Sequence, residues 1–498
     1  MWDNIALGFG AAGTLVNLGY ALIGALLGTL IGVLPGLGPL ATIAILLPFT
    51  YGLEPLSALI MLAGIYYGSA YGGSTTAILM SLPGETSSTV TVLDGYQMAR
   101  KGRAGVAIAT AAIGSFVAGS FGTLLLAAFA EPLTRVAIGF GPRDYFALMT
   151  LGLIGAVSLA SGSMLKAVGM VVLGLLLGLA GTDSSTGTQR FTLGLVQLWD
   201  GIDFIVLAVG LFAFGEIYST LASREVPDAK TNPINGLWPS REDFKRMAAP
   251  ILRGTGIGSL LGVLPGAGIS MSSFIAYSVE KRVSRHPEQF GKGAIEGVAG
   301  PESANNAAAQ TAFIPTLTLG IPGSPVMALI LGALMIHNIQ PGPNVMTSRP
   351  ELFWGLIASM WIGNLMLVLL NLPLVGIWVK LLSVPYRLLF PGIVMFSCIG
   401  VYASGFASFD LYLTAVFGIF GVLLKILKFE PAPLVLGFVL GPMLEESFNR
   451  ALVLSDGSLM TFINSPLPAI MLGLAVVLML LMVLPRFRAN REEMFADE

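Results

Sequence analysis

This chain is poor in charge. Only 11% of its 498 residues are Asp, Glu, Lys or Arg, and 26 basic against 28 acidic side chains leave a net charge of −2. Nucleic acid is thereby excluded as a natural partner, because phosphate backbones are held by basic surfaces. A single cysteine, Cys398, rules out an intrachain disulfide, and two histidines, His286 and His337, cannot build a His-rich metal site. Neither HExxH nor GxSxG occurs, so the chain offers no metalloprotease or serine-hydrolase motif and is expected to be neither an enzyme nor a cofactor carrier. The first residues, MWDNIALGFG, hold no basic n-region and no small-residue cleavage site, so no cleaved signal is expected.

What is abundant is apolar. The chain is 55% hydrophobic with a mean hydropathy of +0.82, and its apolar runs approach the roughly 20 residues that span a bilayer. An all-α polytopic membrane protein follows. Its 62 glycines and 29 prolines argue for close helix packing and interrupted helices. One phrase occurs twice: residues 28–38 read GTLIGVLPGLG and residues 258–268 read GSLLGVLPGAG. Pro35-Gly36 and Pro265-Gly266 open the backbone inside apolar surroundings, which a membrane tolerates only within protein or beside a water-filled cavity.

The duplication organises the chain. Residues 1–221 are expected to form a first repeat with a hairpin at 17–50 and a broken helix at 55–99, and 222–249 a cytoplasmic linker. Residues 250–498 then form a second repeat with a hairpin at 250–280, a broken helix at 294–339 and one extra helix near 408–427. LGLLLGLAG at 173–181 resembles LGFVLGPML at 436–444, which extends the duplication late into each half. The loop after the first hairpin carries only Glu54, whereas its counterpart carries Lys281, Arg282, Arg285 and Lys292. The loop after the second break is basic in the first half (Arg100, Lys101, Arg103) and nearly uncharged at 339–348 in the second. Under the positive-inside rule, equivalent loops face opposite sides, so the expectation is two inverted-topology repeats with re-entrant hairpins, discontinuous helices and about 11–12 crossings. The basic RFRANR at 486–491 is then cytoplasmic, while residues 1–16 leave room for a further crossing helix.

Polar residues gather at the breaks. Ser74, Thr75 and Thr76 precede Pro83-Gly84, with Glu85, Thr86, Ser87 and Ser88 after it; Asn305, Asn306 and Gln310 precede Pro322-Gly323, with Thr316, Thr318 and Ser324 around it. Neutral hydroxyls, amides and bare helix-start N–H groups suit a carboxylate without burying Lys or Arg. The candidate substrate-binding residues are therefore Gly36, Gly38, Ser74, Thr75, Thr76, Pro83, Gly84, Glu85, Thr86, Gly266, Gly268, Ser270, Asn305, Asn306, Pro322, Gly323 and Ser324. Asn305, Asn306 and Thr318 are candidate sodium ligands, since oxygen donors suit a hard cation. The plainer reading is that Ser, Thr and Gly only let helices pack. Among ionisable groups in apolar surroundings (Glu85, Asp94, Lys166, Glu302), Glu85 is the preferred functional candidate, and Asp94 and Glu302 also read as boundary residues. His337 and Cys398 read as packing residues, and Trp199, Trp238, Trp354 and Trp378 as interfacial anchors.

These phrases carry a resemblance. GVLPGLGP, YYGSAYGGSTTAILMSLPGE, LDGYQMARKGRAG, GVLPGAG, GPESANNAA and LGIPGSP, in order between about residues 18 and 450, resemble the large membrane subunit of the tripartite tricarboxylate transporters, the TctA family. The resemblance implies a multi-pass bacterial inner-membrane protein working with a small four-helix membrane subunit (TctB-like) and a periplasmic substrate-binding protein (TctC-like). It also implies uptake of citrate or related carboxylates coupled to sodium or proton entry. The rival reading is a standalone cation-coupled antiporter or organic-anion transporter without a binding protein, which would usually place a carboxylate in mid-helix. A channel would need a continuous polar path or a ring of like charges, which the sequence lacks.

Overall fold

Glycines four residues apart cut a groove along a helix, and two such grooves organise this computed structural model, which describes residues 2–34, 38–82, 86–159, 163–183, 186–215, 217–218, 234, 236–264, 268–381 and 386–483. A first helix, α1 (Trp2–Ala12), lies against a later one, with Phe9 stacked on Trp361 at 5.9 Å. Its rise of about 17 Å falls short of a bilayer core of about 30 Å, so α1 does not cross alone. Helix α2 (Leu15–Gly32) starts at Thr14, whose hydroxyl accepts the Asn17 N–H. After α3 (Pro39–Leu46) and a 3₁₀ turn comes α4 (Pro55–Met80). A Cβ on Gly24, Gly28 or Gly32 would sit 2.3–2.4 Å from the carbonyl oxygens of Met61, Ile65 and Ser69. The α2 and α4 backbones thus touch at a distance that only glycine permits.

Residue numbers rise together along that contact, so α2 and α4 are parallel. Ser57 Oγ–H donates to Asn17 Oδ1 at 2.6 Å where both begin. The chain therefore doubles back between the end of α2 at Gly32 and the start of α4 at Pro55. Helices α5 (Ala104–Ile138), α6 (Pro142–Leu159) and α7 (Met164–Gly178) follow, and then the arrangement recurs in α8 (Arg241–Gly262), α9 (Gly268–Val283) and α10 (Glu296–Thr311). Here a Cβ on Gly254, Gly258 or Gly262 would lie 2.1–2.4 Å from the carbonyl oxygens of Gly300, Ala304 and Ala308, and Arg246 pairs with Glu296 at 2.9 Å where α8 and α10 begin. Helix α8 starts well before the expected residue 250, because Ser240 and Asp243 close a capping box and its early charges find partners.

Helices α4 and α10 are antiparallel, since Ser74 meets Glu302 and Tyr66 meets Phe313. Both end on a left-handed cap at the same register: α4 at Ser81 (φ 62°), and α11 (Phe313–Leu319), which continues α10, at Gly320 (φ 73°). After Gly320 the chain folds back. A Cβ on Gly323 would lie 3.6 Å from Gly262 O and 3.8 Å from Ala312 Cβ, and Ser324 then caps α12 (Pro325–Ile336). Helix α12 thus starts beside the second hairpin tip.

Basic segments gather at one end: Arg103 pairs with Asp243 at 2.5 Å, and Lys101 Nζ donates to Lys292 O at 2.5 Å. Further long helices are α13 (Pro350–Asn371), α14 (Tyr386–Gly405), α15 (Ser408–Ile426), α16 (Ala432–Leu454) and α17 (Pro466–Val483). Among the described residues four helices are long and apolar enough to cross a membrane by themselves: Leu15–Gly32, Ala99–Ile138, Pro350–Asn371 and Ser408–Ile426. Six shorter apolar helices accompany them. The polar residues of α10 lower its hydropathy, and a doubled-back arm such as α3 is too short to qualify.

Two expectations change. Helices α7 and α16 carry the resembling phrases, yet Gly174 meets Leu434 O, Gly178 meets Phe438 O and Gly437 meets Val171 O. They run parallel against each other and are not inverted mates; the likeness reflects a shared need for glycines four apart. Trp354 and Trp378 are core residues, 1% and 5% exposed, and Trp378 Nε1–H donates to Leu370 O at 3.0 Å. Trp199 and Trp238 remain exposed.

Candidate functional site

The glycine stripes bring α2 and α4 together on one side and α8 and α10 on the other, and the residues that α4 and α10 turn toward each other are polar. Glu302 of α10, 2% exposed, accepts the Ser74 Oγ–H at 2.8 Å and the Thr91 Oγ1–H. Four residues on, Asn306 Nδ2 donates to Ser115 Oγ of α5 at 2.7 Å and to Glu302 O at 3.1 Å. Tyr71 O–H donates to Asn364 Oδ1 of α13 at 3.1 Å, and Asn364 Nδ2 donates to Phe116 O at 2.9 Å and Ser120 Oγ at 3.1 Å. Thr123 Oγ1–H reaches Gln310 Oε1 at 3.3 Å. A cavity of about 10 Å³ lies in this network, lined by Tyr71, Ser74, Thr75, Ser115, Glu302 and Asn371 among others.

The expected residues are distributed unevenly. Ser74, Thr75, Asn305 and Asn306 are all buried, Ser74 against Glu302 of α10 and Asn306 against Ser115 of α5. Thr76 donates to Val33 O at 2.8 Å and so ties α4 to the first hairpin tip. Gly38 is the N-cap of α3, in extended backbone, and its carbonyl accepts the Thr42 hydroxyl at 2.9 Å. Pro322, Gly323 and Ser324 stand at the second tip, where Ser324 Oγ accepts the Met327 N–H at 3.2 Å. Gly36, Pro83, Gly84, Glu85 and Gly266 lie outside the described residues. Thr86 opens a short 3₁₀ helix, while Gly268 and Ser270 belong to the first turn of α9, their side positions outside the description.

Some groupings do not form. Thr318 donates to Ile314 O at 2.6 Å and stands about three turns, roughly 18 Å, beyond Asn306. It therefore cannot share a coordination shell with Asn306. Lys166 caps the end of α15, donating to Leu427 O at 2.7 Å. Asp94 is fully buried and accepts from the Gly293 and Ala294 amides (2.7 and 2.8 Å) and the Tyr277 hydroxyl (2.9 Å). Those bonds clamp the first unit to the start of α10. Among the described residues no group of three or more His, Cys, Asp or Glu could hold a metal ion.

The sequence reading favoured Glu85 and treated Glu302 as possible boundary charge, and it passed over Tyr71, Thr91, Ser115, Asn364 and Asn371. The signal was there in part: GPESANNAA places Glu302 one turn before the Asn pair, on a helix whose neighbours are Ala and Gly.

Comparison with known proteins agrees with this architecture. The chain matches the tripartite tricarboxylate transporter TctA family over residues 18–436. It is 57% identical over 496 residues to an uncharacterized 52.8 kDa protein in the TAR-I ttuC′ 3′ region of Agrobacterium vitis, covering 100% of this chain and 99% of that one. An uncharacterized protein in the TAR-II ttuC′ 3′ region of the same organism is 59% identical over 241 residues, 48% of this chain and 100% of that protein. No solved structure matches. A buried polar network between helices, in a multi-pass membrane protein of the bacterial inner-membrane kind, is the setting of a transporter, and the chain belongs to the tripartite tricarboxylate transporter TctA family.

Proposed function

We propose that this protein is the large transmembrane subunit of a binding-protein-dependent secondary transporter that imports tricarboxylates or related carboxylates by alternating access, driven by a sodium or proton gradient. The observation that carries the proposal is the polar network at the contact of antiparallel α4 and α10, each backed by a doubled-back helical pair. Such a contact supports the reading of inverted repeats whose ligands sit between them near the midplane. The end of α2 at Gly32 lies level with Gly72 and the end of α8 at Gly262 with Thr311, which supports breaks that approach each other between the units. The gathered basic segments support a cytoplasmic location for that end. A cavity of about 10 Å³ is far too small for citrate, so substrate entry requires the two units to move apart. The proposed substrate contacts are the hydroxyls and amides near the breaks, including Thr76, Ser324 and the tip glycines Gly36, Gly38, Gly266 and Gly268. A small four-helix membrane subunit and a periplasmic substrate-binding protein complete the proposed system.

Proteoliposomes holding this subunit and both partners are expected to exchange labelled carboxylate in counterflow with citrate, tartrate or terephthalate. Exchange that proceeds unchanged without the binding protein would overturn the tripartite reading. One observation favours the second reading, a standalone cation-coupled antiporter: Glu302 is a carboxylate buried in mid-helix. Ion exchange by the chain alone would support it.

A further inference from the structure

The cavity between α4, α5, α10 and α13 sets carboxylate, hydroxyl and amide oxygens (Glu302, Ser74, Thr75, Ser115, Asn371) against an apolar wall of Ile78, Ile108, Ala111 and Ala112. We infer that it binds one sodium ion, with Glu302 as the anionic ligand and Ser74, Thr75, Ser115 and Asn371 as neutral oxygen donors. The inference rests on the transport reading above and assigns the coupling ion a site distinct from the Asn305–Asn306–Thr318 set.

Where the hydroxyl protons go shows why a cation fits and an anion does not. Thr75 Oγ1–H donates to Tyr71 O at 3.2 Å, and Tyr71 O–H donates to Asn364 Oδ1. Ser115 Oγ accepts from Asn306. Ser74 has one proton and two acceptors in reach, Glu302 at 2.8 Å and Ala70 O at 3.1 Å. Turning that proton to Ala70 frees a lone pair beside the carboxylate without breaking the fold. Asn371 supplies the independent sign. It is 2% exposed, its Nδ2 donates to Leu367 O at 2.9 Å, and its Oδ1 has no hydrogen-bond partner among the described residues. A buried carbonyl oxygen left in that condition is costly and is satisfied by a positive ligand. The volume is that of a single water, enough for a bare small ion and too little for a carboxylate.

The duplication argues against mere packing. The carbonyl partners of the two glycine stripes are offset by 239 residues, from Met61 to Gly300 and from Ser69 to Ala308. On that offset Ser74 corresponds to Phe313, Thr75 to Ile314 and Glu302 to Ala63. At these three positions the equivalent place holds apolar side chains, while Tyr71 corresponds to the polar Gln310, so the carboxylate with its adjoining hydroxyls is specific to one of two symmetric positions. An ion there would join α4 of one unit to α10 of the other and favour the closed arrangement, which is how cation binding would be coupled to access.

The test uses the purified full chain without partners or substrate, reading ²²Na⁺ binding and thermal stability in NaCl against choline chloride. The wild type should bind in one saturable class and melt higher in sodium. Glu302→Gln should lose both effects, and Ser74→Ala and Asn371→Ala should each raise the half-saturating sodium concentration about tenfold. The surface control Ser284→Ala should change neither. Wild-type protein that ignores sodium, or whose stability follows pH alone, would overturn the assignment, as would sodium binding left unchanged in all the variants. If Glu302→Gln fails to fold, the two Ala variants decide. Intact sodium binding without carboxylate exchange would sink the transport reading and leave the site, whereas sodium-driven exchange with an unaltered sodium response in the variants would do the reverse.

Discussion

Asp94 and Glu302 are both buried carboxylates, and their partners separate a clamp from a site. Asp94 spends its oxygens on two backbone amides and a phenol, which are fixed donors. Replacing it with Ala should cost about 3 kcal/mol, and with Asn about half that, because buried N–H groups lose an ionised acceptor. Thermal melting in detergent checks this, and sodium binding in the Asn variant should stay at the wild-type level. Glu302 instead accepts side-chain hydroxyls that can rotate, as an ion-binding carboxylate requires. The sequence reading ranked these residues by how apolar their neighbours in the chain were. It could not rank them by partners, which come from segments about 200 residues away.

At the scale of the element, the glycines are not equivalent. Gly258→Ala would press a Cβ to 2.1 Å from Ala304 O, backbone against backbone with no flexible atom to yield. It should separate α8 from α10, lowering the melting temperature and uptake together. Gly169→Ala, with nothing within 4 Å, should be neutral or stabilising by up to about 1 kcal/mol. Gly418 belongs with Gly258, because its Cβ would lie 2.8 Å from Phe214 Cβ. All three sit in apolar helices with similar flanks, so spacing in the sequence marks a stripe without saying whether a partner fills it. Where the same four-residue spacing recurs in α7 and α16, sequence likeness suggested symmetry mates and the packing has parallel neighbours.

For the whole molecule, inverted units require single cysteines at Ser284 and Asn344, with Cys398 removed, to react from opposite sides of the membrane. Labelling of both from one side would refute the inversion. Composition alone determined the solvent in which this chain folds, since 55% hydrophobic residues and 11% charge leave no other medium. The repeated GVLPG phrase and the matched Pro-Gly pairs gave the expectation of two like units and of where helices give way, because proline and glycine act on their own backbone. Which polar groups form a site was decided only by tertiary structure. Ser74, Ser115, Glu302 and Asn371 come from four helices spread over about 300 residues, and although Ser74 and Glu302 stand out in their own segments, nothing in the sequence joins them to Ser115 and Asn371. They meet because glycine stripes draw α2 to α4 and α8 to α10, and because α4 and α10 then run in opposite directions. That crossing sets Glu302 beside Ser74, a pairing that depends on helix direction and not on sequence spacing.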